Sequence, residues 1–177
     1  MRKVILGLAV SLDGFIEGPN GEYDWCFTDQ DYGLNDFFKR IDAIFMGRKS
    51  YDVTKSMEGQ SQEQNPWKGI LTYVFSNSIK HIDDKDVRLI SGDIRKEVLS
   101  IKQQKGKDIW LFGGAELTTL FINEQLVDEI WLSVHPILLG SGKPLFQQIN
   151  GRKKLKLIEQ KTYSTGLVSL CYQPDHS

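Results

Sequence analysis

The sequence predicts an α/β protein whose sheet starts parallel and finishes with antiparallel edge strands. Three observations lead there: strand and helix patterns alternate from residue 4 to residue 127, two strands run through glycine straight into helices, and after residue 127 only strand patterns remain. At 177 residues, 40% hydrophobic and 25% charged, the chain has the size of one domain, 1–177. That length buries a full core without metal or disulfide staples.

Val4 to Val10 is a continuous apolar run closed by the turn-rich SLDGFIEGPNG, as in a central strand buried on both faces and followed by a loop. Residues 30–41 space Leu34, Phe37, Phe38 and Ile41 three and four apart, with Lys39 and Arg40 turned away, which predicts an amphipathic helix. Ala43 to Met46 is a second strand that enters Gly47, and helical pattern resumes over 48–55. The polar, aperiodic segment 57–69 is a loop.

Ile70–Phe75 and Val87–Ile90 are short strands, and Asp93 is the N-cap of a helix that carries Ile94, Val98 and Ile101 on one face. The strand Asp108–Phe112 ends at Gly113 and Gly114, and a helix follows over Ala115–Ile122. Asp128–His135 alternates Ile130, Leu132 and Val134 with Glu129, Trp131 and Ser133, a half-exposed strand that either pairs across a dimer or lies inside the sheet. Leu155, Leu157 and Glu159, then Val168, Leu170 and Tyr172, form a hairpin about Ser164-Thr165-Gly166. Lys153, Lys154 and Lys156 protect its exposed edge.

The balance of 22 Lys and Arg against 23 Asp and Glu, net -1, argues against a nucleic-acid or anionic-membrane footprint. Cys26 and Cys171 define no disulfide framework, and as two inert thiols they fit the cytoplasm better than secretion. Arg2 and Lys3 before an apolar run imitate a signal peptide, but Asp13 follows at once without a small-residue cleavage site. The most apolar stretch, 109–122, contains Glu116 and is shorter than the ~20 residues needed to span a bilayer. His81, His135 and His176 make no metal pattern with the cysteines, and His135 reads as a satisfied strand-end histidine.

The chemistry is sought at the two strand-glycine-helix junctions, 44–51 (IFMGRKSY) and 109–117 (IWLFGGAEL). Such junctions aim free helical N–H groups and a positive dipole end at one point, where open parallel sheets bind ligands. Glycine also simply permits tight turns, so either junction alone is ambiguous. Together, with Arg48 and Lys49 behind the first, they form a cradle for a pyrophosphate. Arg48 suits a second phosphate, as carried by NADPH, and Ser76, Asn77 and Ser78 either bind that phosphate or serve as turn residues. No GxGxxG is present, and GSGK at 140–143 lacks the rest of a P-loop.

AVSLDGFI, FMGRKSY, VFSNS, WLFGGAEL and VDEIWLSVHPILLGSGKPLF follow one another as in the dihydrofolate reductase-like fold. Over residues 2–173 the chain most resembles the reductase domain at the C-terminus of bifunctional riboflavin-biosynthesis proteins, the RibD C-terminal domain family. The resemblance implies a three-layer α/β/α structure with a mixed, mostly parallel sheet of about eight strands, and often a homodimer. It implies NADPH held by Ala9, Gly47, Arg48, Lys49 and Ser50, by Ser76, Asn77 and Ser78, and by Gly113, Gly114, Ala115, Glu116 and Leu117.

Dihydrofolate reductases hold the pterin with a carboxylate on the helix before the MGR strand; here Leu34 stands at that position, and Asp36 lies about 200° around the helix. The riboflavin-type reductases match better through SLDG, which places Ser11 and Asp13 at the substrate, although EYDWCFTDQDYG replaces the segments usual after that motif. Asp13 is the candidate catalytic residue, against its ordinary use in an Asp-Gly turn. Trp25 and Phe38 either wall an aromatic substrate or anchor the core. The expectation is an NADPH-dependent reductase similar to 5-amino-6-(5-phosphoribosylamino)uracil reductase, acting on a small heterocycle or ribosylamino compound. The alternatives are a nucleotide-binding protein that keeps the cleft without turnover, and a dihydrofolate reductase-like enzyme of another substrate.

Overall fold

β1 (Val4–Ser11) explains its own unbroken hydrophobicity, because Val4 and Leu6 face one side of the sheet, Ile5 faces the other, and all three are fully buried. The computed structural model describes residues 1–58 and 69–175; most of the loop expected at 57–69, Trp67 and His176 lie outside them. β3 (Ile41–Gly47), β4 (Leu71–Phe75), β5 (Val87–Ile90), β6 (Asp108–Gly113) and β7 (Glu129–His135) run parallel to β1 in the order β5-β4-β3-β6-β1-β7. The hairpin β9 (Leu155–Thr162) and β10 (Val168–Pro174) completes the eight-stranded sheet, with β10 antiparallel to β7 and β9 on the edge. Its turn closes through a hydrogen bond from the Tyr163 amide to the Leu167 carbonyl at 2.9 Å.

Helices cover both faces. α3 (Ile94–Gln103) and α4 (Ala115–Asn123) send Val98, Ile101, Leu117 and Phe121 onto Val4, Leu6, Phe45 and Leu111. Phe121 meets Phe45 and Phe75 at ring separations of 5.7 and 5.5 Å. On the opposite face, Phe37 of α1 (Leu34–Arg40) and Tyr51 of α2 (Arg48–Glu58) pack with Ile5, Ile44, Met46 and Trp110. Asp93 caps α3 as expected, accepting from the Lys96 amide at 3.0 Å. Among the described residues no helix is long and apolar enough to cross a membrane.

Three features need comment. α1 spans only Leu34–Arg40, because Asp31 takes the Gly33 and Asn35 amides and Gly33 turns left-handed (φ 86), while Ile41 opens β3. Leu34 is consequently 51% exposed and adds nothing to the buried stripe. β7 takes the second of its two readings: it lies inside the sheet between β1 and β10, with neither edge free to pair across a dimer, and Glu129, expected on the outer face, is only 8% exposed. Glu129 tolerates that burial because Lys3 and Arg40 reach it at 2.7 and 2.9 Å, and Arg40 also stands over the Trp131 ring. Third, β2 (Phe15–Glu17) and β8 (Lys143–Pro144) pair as a small second sheet. Gly142 of the GSGK segment is needed there, since a Cβ would lie 2.2 Å from the Glu17 carbonyl oxygen.

Candidate functional site

The sheet places one point where connections diverge. From β3 the chain passes through α2 to β4 on one side; from the adjacent β6 it passes through α4 to β7 on the other, across β1. Such a switch leaves a crevice at the carboxyl ends of the two strands. Here the crevice holds a cavity of about 1050 Å³, and α2 and α4 both begin on it.

Each helix starts after a glycine, Gly47 for α2 and Gly114 for α4. Gly114, ahead of α4, makes no side-chain capping bond, and the first helical bond runs from the Thr118 amide to the Gly114 carbonyl at 2.9 Å. The amides of Ala115, Glu116 and Leu117 thus lack intrahelical acceptors, as do those that open α2. The Gly114 amide donates to Ser50 Oγ at 3.0 Å and ties the two starts together. Gly113 carries φ +108, a conformation L side chains rarely adopt, whereas a Cβ on Gly47 would find its nearest neighbours at 3.8 and 3.9 Å. Gly113 is therefore required by the backbone, whereas a Cβ on Gly47 meets only ordinary contacts.

Arg48 Nη1 donates to Ser78 Oγ at 2.8 Å, while its Nε lies 3.4 Å from Asp52 one turn on. Ser76 Oγ accepts the Ser78 and Ile79 amides at 3.2 Å, and Asn77 Oδ1 accepts the Gly92 amide, also at 3.2 Å. Lys49 reaches Glu116 at 3.0 Å across the mouth. Ala9, Gly47, Arg48, Lys49, Ser50, Ser76, Asn77, Ser78, Gly114, Ala115, Glu116 and Leu117 all line the cavity; Gly113 stands just behind, shaping the turn. The donors fit a dianionic pyrophosphate at two helix ends and a further phosphate at Arg48.

The residues expected at the substrate do not line this cavity. Ser11 Oγ donates to Asp13 Oδ1 at 2.7 Å and accepts the Phe15 amide at 2.9 Å. Asp13 also accepts the Leu139 and Gly140 amides at 3.1 and 2.8 Å, tying the SLDG turn to the loop after β7. The Ser11 hydrogen bond, with those from Gly140 and Leu139, holds the Asp13 carboxyl below its ordinary value, so it is ionised at neutral pH. Trp25 sets its ring edge on His135 at 5.2 Å, and Phe38 packs on Trp110 at 5.6 Å. Asp36 pairs with Lys39 on the surface.

Sequence reasoning missed one end of the cavity, where Ile16, Glu17, Asn20, Gly21, Tyr23 and Lys143 stand. Lys143 Nζ donates to Glu17 Oε1 at 2.6 Å and clasps the small sheet. The glycine before Lys143 was the one local signal, and the pairing that explains it spans more than a hundred residues. Burial pushes both thiols, Cys26 and Cys171, up to about 11, outside the range of reactive cysteines. Among the described residues, no group of three His, Cys, Asp or Glu could hold a metal ion.

Similarity to known proteins extends over the whole fold. The Bacillus subtilis proteins YyaP and YwjB are 47% and 36% identical to the chain, covering 97% and 92% of it and 94% and 92% of their own lengths. A Shewanella sp. PV-4 crystal structure named for riboflavin biosynthesis superposes with a TM-score of 0.84 at 24% identity, covering 99% of this chain and all of that one. The Thermotoga maritima deaminase/5-amino-6-(5-phosphoribosylamino)uracil reductase gives a TM-score of 0.72 at 16% identity over 98% of this chain and 57% of its own. The model of the RibD C-terminal domain matches residues 2–169. The chain belongs to the RibD C-terminal domain family and has its dihydrofolate reductase-like, three-layer α/β fold.

Proposed function

We propose that the protein is an NADPH-dependent reductase of a small heterocyclic or ribosylamino compound, similar to the uracil reductase of riboflavin biosynthesis. The observation that carries this is the meeting of two helix starts that follow glycines, α2 and α4, on one cavity, with Arg48 held to Ser78 at 2.8 Å beside it. When bound, NADPH supplies the hydride. The Lys49–Ser50 and Ala115–Leu117 amides would hold the pyrophosphate and Arg48 with Ser76 and Ser78 the additional phosphate, with Ala9 of β1 and Ile16 of β2 further along the same cavity wall. Asp13, ionised and engaged by three donors, holds the SLDG turn to the loop after β7 rather than giving up a proton, so the proton comes from elsewhere.

The engaged Asp13 also favours a second reading, a cofactor-binding protein without turnover. Incubation with NADPH and the ribosylaminouracil substrate separates the two. Loss of NADPH absorbance with one reduced product per cofactor supports the reductase; saturable binding with no consumption of this substrate or related heterocycles supports the second reading.

A further inference from the structure

Three residues of that cavity end, Asn20, Gly21 and Tyr23, belong to residues 18–29, a stretch without helix or strand. Bonds within it, from the Cys26 amide to the Tyr23 carbonyl and from Trp25 Nε1 to the Glu22 carbonyl, shape the stretch. One attachment of it to the sheet, among the described residues, is His135, the last residue of β7 and only 3% exposed. The Phe27 amide donates to His135 Nε2 at 3.1 Å, and His135 Nδ1 lies 2.9 Å from the Ser133 carbonyl oxygen. One protonation state meets both partners: the neutral ring with its proton on Nδ1. Trp25 and Phe27 close over the imidazole at 5.2 and 5.1 Å.

A second proton on that ring breaks the contact with Phe27, and the Ser133 and Val10 backbone groups are what favour it. It would sit on Nε2 and face the Phe27 N–H, donor against donor, inside an aromatic enclosure. The ionisable neighbours in sequence do not stabilise it. Asp24 acts on the Cys26 thiol, Asp29 accepts the Tyr32 hydroxyl, and Asp13 is engaged by Ser11, Leu139 and Gly140. Burial is the largest influence on His135 and lowers its pKa from 6.5, opposed only by the Ser133 and Val10 backbone groups.

We propose that His135 is a positioning residue for the cavity: its neutral imidazole latches the 18–29 wall to β7 through the Phe27 amide, and protonation breaks that latch, loosens the wall and weakens ligand binding. The effect on binding rests on the cavity being the cofactor site proposed above; the latch itself does not.

Two measurements read the latch and its coupling separately. Hydrogen exchange at the Phe27 amide of the free protein is compared at about pH 7.5 and about pH 5, corrected for intrinsic rates, in wild type and in His135→Gln, whose amide oxygen accepts without titrating. Wild-type protection falls about tenfold at the lower pH, the loss of one hydrogen bond, and the Gln variant changes little. Unchanged wild-type protection, or the same fall in both proteins, overturns the latch. NADP⁺ affinity, measured calorimetrically on the same samples, drops with acid more steeply in wild type than in His135→Gln; parallel slopes overturn the coupling to the cavity. Undetectable NADP⁺ binding at both pH values overturns the coupling through failure of the cofactor reading, and the exchange result tells that failure from failure of the latch.

Discussion

Replacing Arg48 with alanine separates the binding of NADPH from that of NADH. Arg48 Nη1 is already oriented by Ser78 at 2.8 Å, so little side-chain freedom remains to be lost when a phosphate arrives. A charge-assisted hydrogen bond contributes about 1.5–3 kcal/mol. Arg48 is 53% exposed and shares its charge with Asp52, which places the expected loss near the lower end, about 1.5–2 kcal/mol. Arg48→Ala should therefore bind NADPH about 10- to 30-fold more weakly, with NADH affinity changed less than about threefold. Calorimetric titration with both cofactors at low and high salt reads this directly, and the wild-type preference for NADPH should shrink as salt rises. Equal losses for the two cofactors, or an NADPH loss without salt dependence in the wild type, would refute the assignment of Arg48 to the additional phosphate.

Other perturbations probe different parts of the molecule. Gly47→Ala, whose Cβ would meet nothing closer than 3.8 Å, should change stability by less than about 1 kcal/mol yet reduce NADPH affinity by filling the cradle floor; thermal melts beside titrations check both. Gly113→Ala forces φ +108 on a side chain and should lower stability by about 1–3 kcal/mol in urea unfolding. Asp13 has a lowered carboxyl pKa, so its contribution to stability is present above 3.8 and is lost as pH falls through the lowered value; Asp13→Ala should abolish that acid dependence and speed exchange at the Leu139 and Gly140 amides. His135 titrates from the neutral side: its contribution is complete above 6.5 and lost as pH falls from 6.5 through its lowered pKa. Urea unfolding of His135→Gln should be flatter across that window than that of wild type.

The parts of this molecule written in local chemistry are legible in the sequence itself. β1 announces itself by an unbroken apolar run, Asp93 by its place ahead of an amphipathic stretch, and the two junctions by glycine between strand and helix. Twelve of the thirteen residues proposed for the cofactor line one cavity because each junction fixes its own helix start, and the parallel order β3-β6 sets the two starts side by side. What stays hidden depends on partners far along the chain. Glu129 reads as a solvent-facing residue because Lys3 and Arg40, which neutralise it, lie 126 and 89 positions away. The cavity end built by Glu17 and Lys143 joins residues 126 apart, and Asp13 meets Gly140 across 127. The start of α1 is misjudged for a different reason: the stripe through Leu34 and Ile41 has helical spacing, but Asp31 and Gly33 turn the chain before it and the sheet claims Ile41.

Calorimetric titration of the wild-type protein with NADPH tests the central claim most directly. Two helix starts that follow glycines and Arg48 on one cavity predict saturable binding of one NADPH per chain, tighter than NADH and weakened by salt. The absence of heat and of Trp110 quenching up to millimolar NADPH would contradict it, because Trp110 contacts Phe112 of the cavity wall at 5.0 Å and should report an occupied site.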